Sequence, residues 1–152
     1  MDSTWKLVHV GIPVLDLDKT LKDYESMGIA SFNPERLIDS SNFSEYQING
    51  KTPDPVVKTR VAMGEVGPLG IELLQPVQGE TVHKEFLESV GTGIGHIAYA
   101  VDDLEAEIAK MVGKGFPVIL SFTRKGEEHR SGVYIDTRST FSNLIIELVQ
   151  AH

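Results

Sequence analysis

His96-Ile97-Ala98-Tyr99-Ala100-Val101-Asp102-Asp103-Leu104 restates His9-Val10-Gly11-Ile12-Pro13-Val14-Leu15-Asp16-Leu17. In each copy a His is followed by Val five residues on, Asp at seven and Leu at eight. The ungapped register carries Gly28 onto Gly115. A second shared phrase closes each half: Ile71-Glu72-Leu73-Leu74-Gln75 and Ile146-Glu147-Leu148-Val149-Gln150. An internal repeat fixes architecture before any local propensity does. Each half opens with a His in an apolar strand and ends with a Glu in another. Two His and two Glu in matched positions read as one site with pseudo-twofold symmetry.

The first unit spans residues 5–76, the second 93–150, and residues 77–92 join them within a single domain. A unit of roughly 65 to 75 residues is marginal alone, because small domains bury too little surface. Lys6 to Val14 alternates as a strand, with Leu7, His9 and Gly11 on one face. Asp16 or Asp18 caps a helix that carries Leu17, Leu21 and Tyr24 on one stripe and stops at Gly28. Residues 33–55, rich in Ser, Asn, Asp and Pro, predict an irregular excursion with one weak strand at Phe43 to Ile48. Val56 to Met63 and Gly70 to Gln75 are strands, and Pro76 closes the unit. Thr81 to Val90 predicts a connecting helix with Val82, Phe86 and Leu87 inward.

In the second half, His96 to Val101 is a strand. Asp102 with Glu105 three residues on predicts a capping box, for a helix that ends near Gly113 or Gly115. Pro117 to Thr123, Gly132 to Asp136 and Asn143 to Gln150 follow as strands. The expected fold class is α+β: two βαβββ modules forming a curled mixed sheet around a cleft.

A Glu between Ile and Leu in a strand points to the face opposite those neighbours. With Ile71 and Leu73 packed under the helices, Glu72 faces the concavity, and Glu147 does so by the repeat. A buried carboxylate needs a partner. Imidazole nitrogen with carboxylate oxygen suits a borderline divalent ion: Co, Ni, Zn, Mn or Fe. His9, Glu72, His96 and Glu147 are therefore the expected metal ligands. His83, His129 and His152 have no matched partners and read as surface residues. Lys125-Gly126-Glu127-Glu128-His129-Arg130 reads as a solvated loop.

The chain has 152 residues and a net charge of -8, with no Cys. That balance argues against nucleic acid, since there is no excess of Lys and Arg to displace counterions. No apolar run is long enough to span a membrane, and Met1 to Trp5 lacks signal-peptide character. With no disulfides possible, a cytoplasmic location is the expectation.

These motifs resemble the vicinal oxygen chelate (glyoxalase/bleomycin resistance/dioxygenase) superfamily over nearly the whole chain. Within it the second half is most similar to methylmalonyl-CoA epimerase. The phrases that carry this are Ile71 to Pro76, Phe86-Leu87, Gly93-Ile94-Gly95-His96 through Asp103, Ser139-Thr140, and Leu144 to Val149. The resemblance implies metal ligands at His9, Glu72, His96 and Glu147, and a shared chemistry in which a metal polarises a carbonyl or thioester oxygen. It further implies that Glu147 acts as catalytic base and that relatives are commonly homodimers. Two departures stand out. Gly95 precedes His96 where epimerases carry a further His, and Thr140-Phe141-Ser142-Asn143 replaces a Gly-rich loop. Glu45 is the nearest candidate for a second acid/base carboxylate. Arg60, Lys58, Lys125 and Arg130 are candidate contacts to a small-molecule substrate with phosphates.

Three functions are compatible with this resemblance. The first is a metal-dependent isomerase, epimerase or lyase acting on a thioester or hemithioacetal. The second is an Fe-dependent ring-cleaving dioxygenase. The third is a non-catalytic binding protein of the bleomycin-resistance type.

Overall fold

The computed structural model describes residues 4–140 and 143–152. Met1 to Ser3, used in the amino-terminal reading, and Phe141 and Ser142, in the loop before the last strand, lie outside the described residues. The first half runs β1 (Lys6–Pro13), α1 (Leu17–Met27), β2 (Ser31–Phe32), β3 (Arg36–Asp39), β4 (Glu45–Ile48), β5 (Lys58–Val66) and β6 (Leu69–Gln78). Helix α2 (Val82–Ser89) leads to β7 (His96–Val101), α3 (Leu104–Gly113), β8 (Val118–Thr123), β9 (Gly132–Ile135) and β10 (Ile145–Gln150). Among the described residues no helix is long and apolar enough to cross a membrane.

The strands form one open mixed sheet in the order β2-β5-β6-β1-β7-β10-β9-β8-β4, with β3 also pairing β5. The α+β expectation holds. At the centre β1 and β7 are antiparallel, flanked by the parallel pairs β1–β6 and β7–β10. This arrangement is symmetric about the β1–β7 seam.

Alternation decides which face each strand buries. Ile71 and Leu73 pack with Val14, Leu17 and Ala62 beneath α1. Ile146 and Leu148 pack with Val101, Leu104, Ile108, Val133 and Ile135 beneath α3. Each such side chain contributes about 1.5–3 kcal/mol of burial, and together they turn Glu72 and Glu147 to the opposite face.

The repeated Asp and Gln have a shared task. Asp16 caps α1 by accepting from Lys19 N at 3.0 Å, and Asp103 caps α3 by accepting from Ala106 N at 3.0 Å. The cap of α3 is thus Asp103, one residue later than the Asp102 expected from the capping-box spacing. Gln75 Oε1 accepts from Leu17 N at 2.9 Å, and Gln150 Oε1 from Leu104 N at 3.0 Å. Each closing phrase therefore ties its strand to the first turn of its own helix, satisfying a donor that the helix cannot satisfy internally.

The excursion holds more structure than its composition predicts. Besides β4 it contains β3, whose two apolar residues are a weak strand signal; pairing to β5 makes the strand. Strand β4 leaves the first half and pairs with β8 of the second. Pro76 does not end its strand, which continues to Gln78; it sits beside a register shift at Lys58 and Thr59, where a missing N–H is tolerated.

The Gln150→Ala protein is expected to lose about 1–2 kcal/mol in urea denaturation, because Leu104 N–H loses its acceptor. Unchanged stability would show that the clamp contributes nothing.

Candidate metal centre and its cleft

The four residues singled out by the repeat meet on adjacent strands β6, β1, β7 and β10. Gly11 pairs with Glu72 on one side and His96 on the other. Ala98 pairs with His9 on one side and Glu147 on the other. Residues two apart on a strand, and residues directly paired across strands, share a face. All four functional side chains thus rise from one face, around two small residues. The small size is required: a Cβ on Gly11 would lie 1.8 Å from Cε1 of His96.

One ligand atom from each of His9, Glu72, His96 and Glu147 lies within 4.8 Å of the other three, and all four residues are buried. His9 Nε2 and His96 Nε2 are 3.2 Å apart. Glu147 Oε2 lies 3.1 Å from His9 Nε2 and 3.2 Å from His96 Nε2. Glu72 Oε1 lies 3.6 and 3.5 Å from the same two nitrogens. Burial opposes charge on His96, yet the carboxylates of Glu147 and Glu72 outweigh it and raise its pKa to about 9. Burial likewise opposes charge on Glu147, but His9 and His96 hold its carboxyl down at about 2.

This donor set fits a divalent ion. Glu147 Oε2 is buried without a satisfactory hydrogen bond despite its two imidazole neighbours. Such an orphaned acceptor is costly, and a cation held by these four residues would satisfy it. The Nδ1 atoms of both His also lack partners. Ring packing rather than outer hydrogen bonds orients His96, which lies 5.0 Å from Tyr134 and 5.8 Å from His83.

The centre opens into a cleft of about 320 Å³. Glu72, Glu147, Tyr46, Tyr134, Thr59 and His83 supply its polar wall, and Phe43, Leu74, Leu120 and Phe122 its apolar wall. Strand β4 reaches across to β8 and thereby carries Tyr46 to this wall. Burial, with Glu147 adding to it, pushes the Tyr46 hydroxyl up to about 12 and that of Tyr134 well above its usual value. Arg36, Arg124 and Lys125 also line the cleft.

Of the residues proposed to meet substrate, Lys125 lines the cleft. Arg60 does not; it is held by Glu35 at 2.9 Å, Asp18 at 2.7 Å and Gln75 at 3.2 Å. Arg130 pairs with Glu105 at 2.7 Å and lines a separate cavity together with Glu45. Lys58 pairs with Asp39 at 3.8 Å. His129 and His152 are exposed, as expected.

His83 is the correction: it is buried on the cleft wall, not at the surface. Its spacing of three and four residues from Phe86 and Leu87 places it on their helical stripe, a signal outweighed by its lack of a repeat partner. Burial, reinforced by His96, lowers its pKa to about 4, so it is a neutral imidazole at pH 7.

Residues 8–134 match the Glyoxalase/Bleomycin resistance protein/Dioxygenase superfamily. The uncharacterized protein YqjC of Bacillus subtilis (strain 168) is 24% identical over 146 residues, covering 95% of this chain and 91% of that protein. The crystal structure of methylmalonyl-CoA epimerase from Mycobacterium tuberculosis superposes with a TM-score of 0.69 at 24% identity, covering 100% of this chain and 93% of that one. A methylmalonyl-CoA epimerase in complex with methylmalonyl-CoA and NH4+ superposes with a TM-score of 0.64 at 23% identity, covering 98% and 96%. These likenesses establish the fold.

The Gly11→Ala protein is expected to fold but to bind divalent metal at least tenfold more weakly, since the added methyl displaces the His96 ring. Isothermal titration with Zn or Co reads this directly, and wild-type affinity would contradict the packing argument.

Proposed function

Because this chain belongs to the Glyoxalase/Bleomycin resistance protein/Dioxygenase superfamily, we propose that it is a divalent-metal-dependent isomerase or epimerase. It removes the proton from a carbon next to a carbonyl, and a CoA thioester is the substrate class. The observation that carries this reading is the convergence of four buried donors at the floor of an open cleft. His9, Glu72, His96 and Glu147 would hold the ion, which supplies positive charge that draws electron density from a substrate carbonyl oxygen and acidifies the neighbouring C–H.

The chain's own groups supply the rest. His9 and His96 keep Glu147 ionised, and Glu147 faces the cleft, so it is the base that takes the proton. Tyr46 and Tyr134, kept protonated by burial, are hydrogen-bond donors to the ligand. Phe43, Leu120 and Phe122 exclude water from the reacting end. At the outer end Arg36 and Lys125 have no ion-pair partner among the described residues. On a chain of net charge -8, this cationic rim suits the phosphates of a CoA ester, and methylmalonyl-CoA is the ligand of a structural neighbour. Glu45, directed to the separate cavity, has no part in this scheme. Four protein donors, against the two His and one carboxylate of an oxygen-activating iron site, favour proton transfer over ring cleavage.

Solvent-deuterium exchange into methylmalonyl-CoA, followed by NMR, tests the assignment. Glu147→Gln is expected to slow exchange by about 10²–10⁴-fold at saturating metal. Glu72→Gln, which alters the ligand farther from both imidazoles, is expected to retain most of the rate. Full exchange by Glu147→Gln would remove Glu147 from the role of base.

A further inference from the structure

His83 has no counterpart in the repeat and no place in the donor set, yet it is held firmly on the cleft wall. It is 8% exposed. Its ring packs 5.8 Å from His96 and edge-on 5.6 Å from Tyr134. No group among the described residues hydrogen-bonds to its nitrogens. Its nitrogens are not among the buried polar atoms left without a partner, so they reach the solvent of the cleft and are free to meet a ligand there. The ring also touches a void of about 10 Å³ lined by Pro13, Val82, Phe86, Ile145, His96 and Tyr134. That void is largely apolar and no larger than the lower limit for a single water. In front of the ring is the cleft. A partner for the ring therefore comes from the cleft side.

We propose that His83 is a substrate-contacting residue, whose ring nitrogen hydrogen-bonds to a polar atom of the ligand seated beside the metal centre, and that it thereby contributes to specificity. This rests on the functional reading above, which places the reacting group of the ligand over Glu147. The His83 imidazole offers ring nitrogens that can meet a carbonyl, carboxylate or hydroxyl beside the metal centre. His83, reaching in from α2, supplies a polar group there.

The test uses the full-length protein loaded with Co²⁺ and titrated with acetohydroxamate, a small ligand that offers both oxygen and N–H groups. The cobalt visible spectrum reports metal and ligand together. His83→Phe is expected to retain cobalt and bind the hydroxamate about tenfold more weakly, the usual loss for a hydrogen bond to a polar ligand. His83→Gln is expected to restore binding to within about threefold. Equal affinity in wild type and His83→Phe, with cobalt retained, overturns the proposal while leaving the metal centre intact. Loss of cobalt by His83→Phe alone overturns it in favour of a structural prop for His96. Failure of the wild type to take cobalt overturns the functional reading and this inference with it. In the wild type with ¹⁵N-labelled His, the His83 ring resonances are expected to shift on adding hydroxamate, and unchanged resonances overturn the contact without any variant.

Discussion

Four ionisable side chains placed within 4.8 Å of one another on a single sheet face are the constraint around which the rest of this structure is organised. Without compensation, two carboxylates and two imidazoles at this distance and burial would be severely destabilising. Part of the compensation is internal: His96 is driven toward its charged form and Glu147 is held ionised. It is incomplete, because Glu147 Oε2 and both Nδ1 atoms have no hydrogen bond. Such a deficit is usual where a fold keeps a site for something other than its own stability.

The scaffold meets this constraint by symmetry. Antiparallel β1 and β7 bring the two His together, and the parallel pairs on either side bring one Glu to each. Gly11 and Ala98 stand between the ligands in equivalent positions and keep the face clear. Asp16 with Gln75, and Asp103 with Gln150, anchor the helices whose apolar stripes turn the Glu residues the other way. Every residue common to the two copies of the motif therefore either faces the centre or fixes an element that does.

The same symmetry explains what was legible in the sequence. His9, Glu72, His96 and Glu147 could be picked out because duplication repeats them at matched positions and strand alternation gives their direction. The α1 and α3 helices followed from periodicity with Asp and Gly punctuation. Features that break the symmetry were not legible. Strand β4 pairs across halves, a long-range choice that Glu45-Tyr46-Gln47-Ile48 cannot announce locally, and it brings Tyr46 rather than Glu45 into the cleft. Arg60 looked available by its position, yet three neighbours distant in sequence engage it. His83 lay on a visible helical stripe, but nothing in the repeat marked it as buried.

The central claim is that these four side chains form one divalent-cation site. Its most direct test is elemental analysis after chelation and reloading with Co, Ni, Mn, Zn or Fe, for the wild type beside His96→Ala. The account predicts one tightly held ion per chain in the wild type and none in the variant. No retained ion with any of these metals, or equal retention by His96→Ala, would contradict it.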